Sequence, residues 1–574
     1  MTDLTSQRDK FIRNITENQF VCAAAGTGKT TVLVRRYLEI LLSGAADCDQ
    51  IIAITFTDKA ANEMKERVRS SILKNEAGLE PAKIASLIER LNTAPISTVH
   101  GFCLRILRDN IGELPFDPLF KICDETAEAL LRDQFWQKFL EHKIAERDPD
   151  LTILINSITL DELSKLLDLI YEKQAECTPI LERYKNLNVT SHLADIEKAC
   201  RDYNLQLLYE YFSDTTISDI INQISTFKSS KSDDVLQRDF CIILTASAEV
   251  LGRRQIPVSH RDGSLRKALG GGKKGTAAAW GNELETVREL HSQLAAKFRL
   301  IKDEFHTFDP EIEKLHADVM QSLARLALDF LQEYRAEMRR KALLDFTGIE
   351  LETENLLVRR SPEIVRYIRN FKHLLVDEFQ DINPIQYRII QLLQELNPDL
   401  ITFFVGDEKQ SIYRFRGAEV EIFNTLREQS DVQPLSTNYR SVQALMNFYN
   451  FFFAQFLGSA PPAERYAAHY PLPIAAKDNS ISTEPPVELL LIEEDEEFAA
   501  RPRQESPKDE VLEARAIADH IWQLHKAEII RENGIIREAE FGDMTILLRS
   551  RTHQSQFTEA LRQAGIPFYV VTGI

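Results

Sequence analysis

The sequence has no apolar run long enough to cross a bilayer. Its most apolar stretch, Phe451 to Leu457, soon meets Pro461-Pro462, whereas a spanning helix needs roughly 20 residues. Cysteine is scarce: Cys22, Cys48, Cys103, Cys123, Cys177, Cys200 and Cys241 make 7. The number is odd and no C-x-x-C pair occurs, which argues against a disulfide framework and a zinc site. Positive charge is in deficit, with 69 Lys and Arg against 88 Asp and Glu, a net charge of −19. Such a chain has no global attraction to nucleic acid or anionic membrane, so a nucleic-acid role requires local basic surfaces. The first residues, Met1 to Thr5, lack a basic or apolar signal region, and the chain reads as soluble and cytoplasmic. What remains is ordinary: 574 residues, 44% hydrophobic and 27% charged. This composition excludes disordered and collagen-like classes and suggests about three to five domains.

Short apolar runs alternate with helical patterns over the first hundred residues. Gln19 to Cys22 reads as a strand, Thr31 to Leu42 as a helix, Ile51 to Phe56 as a strand, Asp58 to Leu73 as a helix and Ile96 to Val99 as a strand. That alternation implies a parallel sheet covered on both faces. Residues 104–341 are dominated by long helical patterns and read as an insertion. Its middle is basic and Gly-rich: Arg253, Arg254, Arg261, Arg266 and Lys267 precede Gly270-Gly271-Gly272-Lys273-Lys274-Gly275. This segment is expected to be flexible and is a candidate for duplex DNA contact, the plain alternative being a solvated loop. Strands return at His373 to Asp377 and Ile401 to Gly406, so residues 342–432 rejoin 1–103 in one α/β domain. Residues 433–574 read as a partial second α/β domain, with strands expected at Val487 to Ile492, Met544 to Leu548 and Pro567 to Val571.

Ala23-Ala24-Ala25-Gly26-Thr27-Gly28-Lys29-Thr30 follows a strand and opens a helix. Small residues let backbone N–H groups close around phosphate oxygens at a helix N-terminus. In such a phosphate-binding loop Lys29 bridges the β- and γ-phosphates of ATP and the Thr30 hydroxyl ligates Mg²⁺. The partner such a loop needs is a strand ending in carboxylate. His373-Leu374-Leu375-Val376-Asp377-Glu378 supplies it, Asp377 for Mg²⁺ and Glu378 for the attacking water.

The segment Asp377-Glu378-Phe379-Gln380-Asp381 resembles the "DExQD" motif of the UvrD/Rep-like superfamily 1 helicases. Further segments agree in the family's order. Gln7 resembles the glutamine that reads adenine, and Thr55-Phe56-Thr57-Asp58-Lys59-Ala60-Ala61 resembles "TFTNKAA". Ser97-Thr98-Val99-His100-Gly101-Phe102-Cys103 resembles "TxHSFC", and Leu344-Asp345-Phe346 resembles "LDF". Gly406-Asp407-Glu408-Lys409-Gln410-Ser411-Ile412-Tyr413-Arg414-Phe415-Arg416-Gly417-Ala418 resembles "GDxxQSIYxFRGA", and Asn438-Tyr439-Arg440-Ser441 resembles "NYRS". The alanine run before Gly26, Cys103, and the segments from Glu513 and Gly542 resemble the AddA/RecB branch.

The resemblance implies a RecA-like P-loop NTPase sheet with a large helical insertion and a partial second RecA-like domain. It implies a 3′→5′ DNA helicase or translocase driven by ATP and Mg²⁺, working in double-strand-break repair beside an AddB- or RecC-like subunit. The ATP site would comprise Gln7, Ala23 to Thr31 (Thr31 included) and Tyr439 stacked on adenine. Lys29, Asp377, Glu378, Gln410 and Arg440 would act on the phosphates, Arg440 as an arginine finger. Phe56, Thr57, His100, Tyr413, Phe415 and Arg416 would meet DNA. The plain alternatives are core packing for Phe56, Tyr413 and Phe415, and a satisfied core histidine for His100. The family's motifs V and VI do not occur before Ile574, so the second domain is expected to be incomplete. The competing expectation is a nucleotide-dependent DNA-binding fragment without unwinding activity. A weaker third is a P-loop ATPase acting on protein partners.

Overall fold

A computed structural model describes residues 3–75, 78–115, 117, 119–256, 263–414, 417–430, 432–458, 466–468, 470, 473–475, 487–491, 509–527, 529–532 and 535–571. The chain divides into two compact units, Met1–Phe120 with Phe346–Ile574, and Lys121–Asp345.

The first unit is built on a six-stranded sheet. Its strands are β1 (Gln19–Ala23), β2 (Ile51–Thr55), β3 (Ile96–Thr98), β4 (His373–Val376), β5 (Ile401–Gly406) and β6 (Gln433–Leu435). They lie in the order β3-β2-β4-β5-β1-β6, and every neighbouring pair is parallel. β2 and β4 are buried at every residue. Strands covered on both faces need unbroken apolar runs, which is how these segments read. α1 (Asp3–Arg13), α2 (Lys29–Leu42), α3 (Asp58–Lys74), α4 (Pro81–Asn92) and α5 (Val99–Asp109) accompany the first three strands. Phe11, Leu33, Tyr37, Ile40, Met64, Val68, Leu375 and Phe403 share one core with the sheet. Because all strands run the same way, their carboxyl ends share one edge, where such sheets bind ligands. That edge carries Ala24 to Gly28, Phe56, Thr57, His100, Asp377, Glu378 and Asp407 to Gln410.

His373 opens β4 fully buried, and its Nδ1 has no hydrogen-bond partner. Burial, then Arg36 and Lys372, push its imidazole down to about 4. The unfolded chain therefore binds a proton that the native chain refuses between roughly pH 6.5 and 4. This contribution to stability is intact above that window and is lost as pH falls through it. Urea unfolding of His373→Leu is expected to show a pH dependence shallower than wild type by about one proton across this window. An identical slope would reject the assignment.

After Asn438 come the Phe-rich helix Gln443–Leu457 and the helix Asp509–Leu524. Ile529–Glu532 and Ile535–Glu538 form an antiparallel hairpin. A small core joins Ala514, Ala518, Phe557, Leu561 and Ile566. The strands expected at 487–492, 544–548 and 567–571 are not formed among the described residues. Extended backbone becomes a strand only with a partner, and residues 487–491, 544–548 and 567–571 pair with none among the described residues, Leu547 standing 90% and Tyr569 87% exposed, while Ile492 lies outside the described residues.

The second unit, Lys121–Asp345, is helical. Its longest element, Pro310–Arg340, has 31 residues and so extends about 46 Å. Phe135, Trp136 and Phe139 of the helix Glu125–Ala145 pack against its Phe330. A two-residue parallel ladder, Lys121–Ile122 with Leu343–Leu344, joins the unit's ends. The Gly-rich segment is pinned rather than loose. Lys274 Nζ lies 2.7 Å from Asp239 and donates to the carbonyls of Lys267 and Ala268. Arg288 grips the carbonyls of Lys274 and Gly275. Lys273 is exposed, while Arg261 and the side chain of Arg253 lie outside the described residues.

Candidate nucleotide and nucleic-acid site

The loop after β1 is shaped by two glycines in the left-handed region, Gly26 at φ +75° and Gly28 at φ +86°. A Cβ at Gly26 would come within 2.7 Å of the Asn438 side chain and 2.8 Å of Arg440 Cβ. One at Gly28 would run into the Arg8 guanidinium. Ala23 and Ala24 are buried and Ala25 is exposed; Thr27 is buried, its hydroxyl on the Ala24 carbonyl. Gly28 caps α2, which opens on Lys29 and Thr30, with Thr31 exposed.

Lys29 Nζ donates to Glu378 Oε2 at 2.5 Å across a sequence separation of 349. The Thr30 side chain lies by Asp377 and favours its ionised carboxylate. Glu378, two residues past β4, has φ +50°, a conformation rarely adopted outside glycine. Burial first, then Glu378, pushes Asp377 up to about 6 and Asp381 up to about 7. Asp381 Oδ1 is buried without a partner. Three crowded carboxylates facing one lysine fit a further cation. Among the described residues no set of three His, Cys, Asp or Glu could chelate a metal alone. A magnesium ion would therefore need phosphate oxygens beside Thr30 and Asp377.

Other expected residues fall differently. Gln410 donates its amide to Asp407, which also takes Lys409 Nζ at 2.5 Å. Tyr439 is half-exposed, and the Arg8 guanidinium lies 3.7 Å over one face of its ring. Arg8 also donates to the Thr27 carbonyl. Asn438 holds this turn on the loop: its Nδ2 donates to the Ala25 carbonyl, and its Oδ1 accepts from Arg440 and Ser441 N–H. Arg440 is exposed beside Gly26. Gln7 belongs to α1, but its side chain lies outside the described residues, as do Phe415 and Arg416.

Phe56 and Tyr413 meet, ring centroids 4.4 Å apart, and both are partly exposed. Thr57 caps α3, its hydroxyl accepting from Ala60 N–H. His100 stands edge-on to Phe346 and lies 3.0 Å from Glu350.

Gln380 connects the two halves of the site. Its Nε2 donates to Glu378 Oε2 at 2.9 Å, its Oε1 accepts from Asp407 N–H at 2.8 Å, and its carbonyl accepts from the Ser411 hydroxyl at 3.2 Å. A Cβ on Gly406 would come within 2.6 Å of that amide oxygen, which is why β5 ends in glycine. Arg8, Gln380 and Asn438 were not singled out by sequence reasoning. Each adjoins a recognised residue, and that adjacency was the available signal.

Comparison with known proteins agrees with this geometry. The family described as "UvrD/REP helicase N-terminal domain" matches residues 4–431. The chain is 28% identical to an ATP-dependent helicase/nuclease subunit of Geobacillus kaustophilus, over 95% of this chain and 47% of that protein. It is 27% identical to the protein of the same description from Alkaliphilus metalliredigens, over 99% of this chain and 49% of that one. The chain thus spans about half the length of these curated relatives. With a matching N-terminal domain, a parallel RecA-like sheet and the phosphate loop and carboxylate strand at one edge, the chain belongs to the UvrD/REP helicase family.

Proposed function

We propose that the chain binds ATP with Mg²⁺ and couples its hydrolysis to 3′→5′ movement on single-stranded DNA. The observation that carries this reading is Gln380, which touches Glu378 at the phosphate loop and Ser411 ahead of Tyr413. Lys29 neutralises phosphate charge, Glu378 takes a proton from water, and Arg440 answers charge in the transition state. Thr30 and Asp377 would hold Mg²⁺, which supplies Lewis-acid stabilisation of phosphate oxygens. Gln7 and Tyr439 would hold adenine, with Arg8 covering one face of the Tyr439 ring. Phe56 and Tyr413 offer stacking faces and Thr57 and His100 polar contacts, and by the family resemblance alone Phe415 and Arg416 would join them. A motor passing every base needs such sequence-tolerant contacts. The longer relatives are described as subunits of a helicase/nuclease. That description supports work beside a second subunit, and the family resemblance extends the proposal to cytoplasmic double-strand-break repair with an AddB- or RecC-like partner. No described helix is long and apolar enough to cross a membrane.

Tyr413→Ala tests the DNA half of this reading. It is expected to weaken binding of a labelled dT oligonucleotide by about 5- to 150-fold, the value of one stacked base. Nucleotide affinity should be unchanged. Unaltered oligonucleotide binding would return Tyr413 to core packing.

A further inference from the structure

Glu350 is 3% exposed, within α6 (Phe346–Val358). A carboxylate removed from water is costly unless its oxygens are met. Here Oε1 takes Gln386 Nε2 at 2.6 Å and lies 3.0 Å from His100 Nε2, while Oε2 takes Asn383 Nδ2 at 3.2 Å. These partners come from two places. His100 is in the first turn of α5 at the ligand edge, with its side chain 36% exposed. Asn383 and Gln386 form the capping box of α7 (Pro384–Leu396), which follows the turn Phe379–Asp381 holding Gln380.

We infer that Glu350 is a positioning residue that sets His100 for a phosphate of the DNA strand and ties it to the nucleotide site. The inference rests on the function proposed above and adds a second route between its halves. With Nε2 turned to the carboxylate and the ring edge on Phe346 at 5.1 Å, the imidazole is fixed. Nδ1 is the nitrogen left, and an ordered water donating to it and to a phosphodiester oxygen joins the ring to the strand. A shift of the turn Phe379–Asp381 moves the cap of α7, the cap moves the Glu350 carboxylate, and the carboxylate moves His100. Each link is a hydrogen bond or a short rigid turn, so the coupling needs no larger rearrangement.

The test is a double-mutant cycle on binding of a fluorescein-labelled dT oligonucleotide by the whole chain. His100→Ala and Glu350→Gln are each expected to weaken binding about five- to tenfold. The double variant should be no weaker than the worse single one. Glu350→Gln should also lower the DNA stimulation of ATP hydrolysis at saturating oligonucleotide. Additive effects, or stimulation equal to wild type, would overturn the inference. Should Glu350→Gln fail to fold, Gln386→Met paired with His100→Ala runs the same cycle, since Gln386 bonds Glu350. If wild type itself bound no oligonucleotide, the proposed function would fall. Binding with an additive cycle would remove Glu350 alone.

Discussion

Lys29→Ala is expected to lower ATP hydrolysis by at least about 10²–10³-fold, the scale set by removing one preorganised charge-stabilising group. The loop backbone can still cradle phosphate, because Gly26, Gly28 and the start of α2 are untouched. What is lost is the ammonium that faces Asp377, Glu378 and Asp381, beside which burial and the charge of Glu378 already disfavour the ionised forms of Asp377 and Asp381. Glu378 also loses its 2.5 Å partner and its orientation toward the loop. The measurement is steady-state phosphate release beside nucleotide binding. Turnover at the wild-type rate would refute the phosphate-loop assignment.

Glu378→Gln separates binding from chemistry. Glutamine keeps the shape and can still accept hydrogen bonds from Lys29 and Gln380, which hold this side chain at 2.5 and 2.9 Å. It cannot take a proton from water, so hydrolysis should fall about 10²–10⁴-fold. Nucleotide should bind at least as well, because Glu378 is the second cause raising both Asp377 and Asp381, after burial. Removing its charge relieves both. Single-turnover hydrolysis and equilibrium binding on one preparation distinguish these effects. Loss of nucleotide binding with loss of turnover would assign Glu378 to structure rather than to the water.

The sheet and its ligand edge were legible because their causes are local. A fully buried parallel strand must be apolar, so β2 and β4 announce themselves, and a phosphate loop must carry small residues before its lysine. The C-terminal section was harder to read. The apolar patterns at 544–548 and 567–571 satisfy strand propensity, yet a strand is a pairing, and pairing partners are not written in the segment. The hairpin Ile529–Glu532 with Ile535–Glu538 was signalled by Asn533-Gly534 between two Ile-Ile-Arg-Glu runs, a strong turn signal that apolar periodicity passes over. Among candidate site residues, those that stand in a local motif are legible from chain position. Those placed by tertiary geometry are not: Glu350 reads as one more acid on a helix, and Arg8 as one more base.

On the function proposed here, nucleotide chemistry and strand binding are coupled through Gln380. The deciding measurement is the ATPase rate of the wild-type chain with and without single-stranded DNA. DNA is expected to raise the rate, and Gln380→Ala is expected to bind both ligands while losing that stimulation. ATP and DNA each bound by wild type, with turnover indifferent to DNA, would contradict this coupling and leave a nucleotide-dependent DNA-binding fragment in place of a motor.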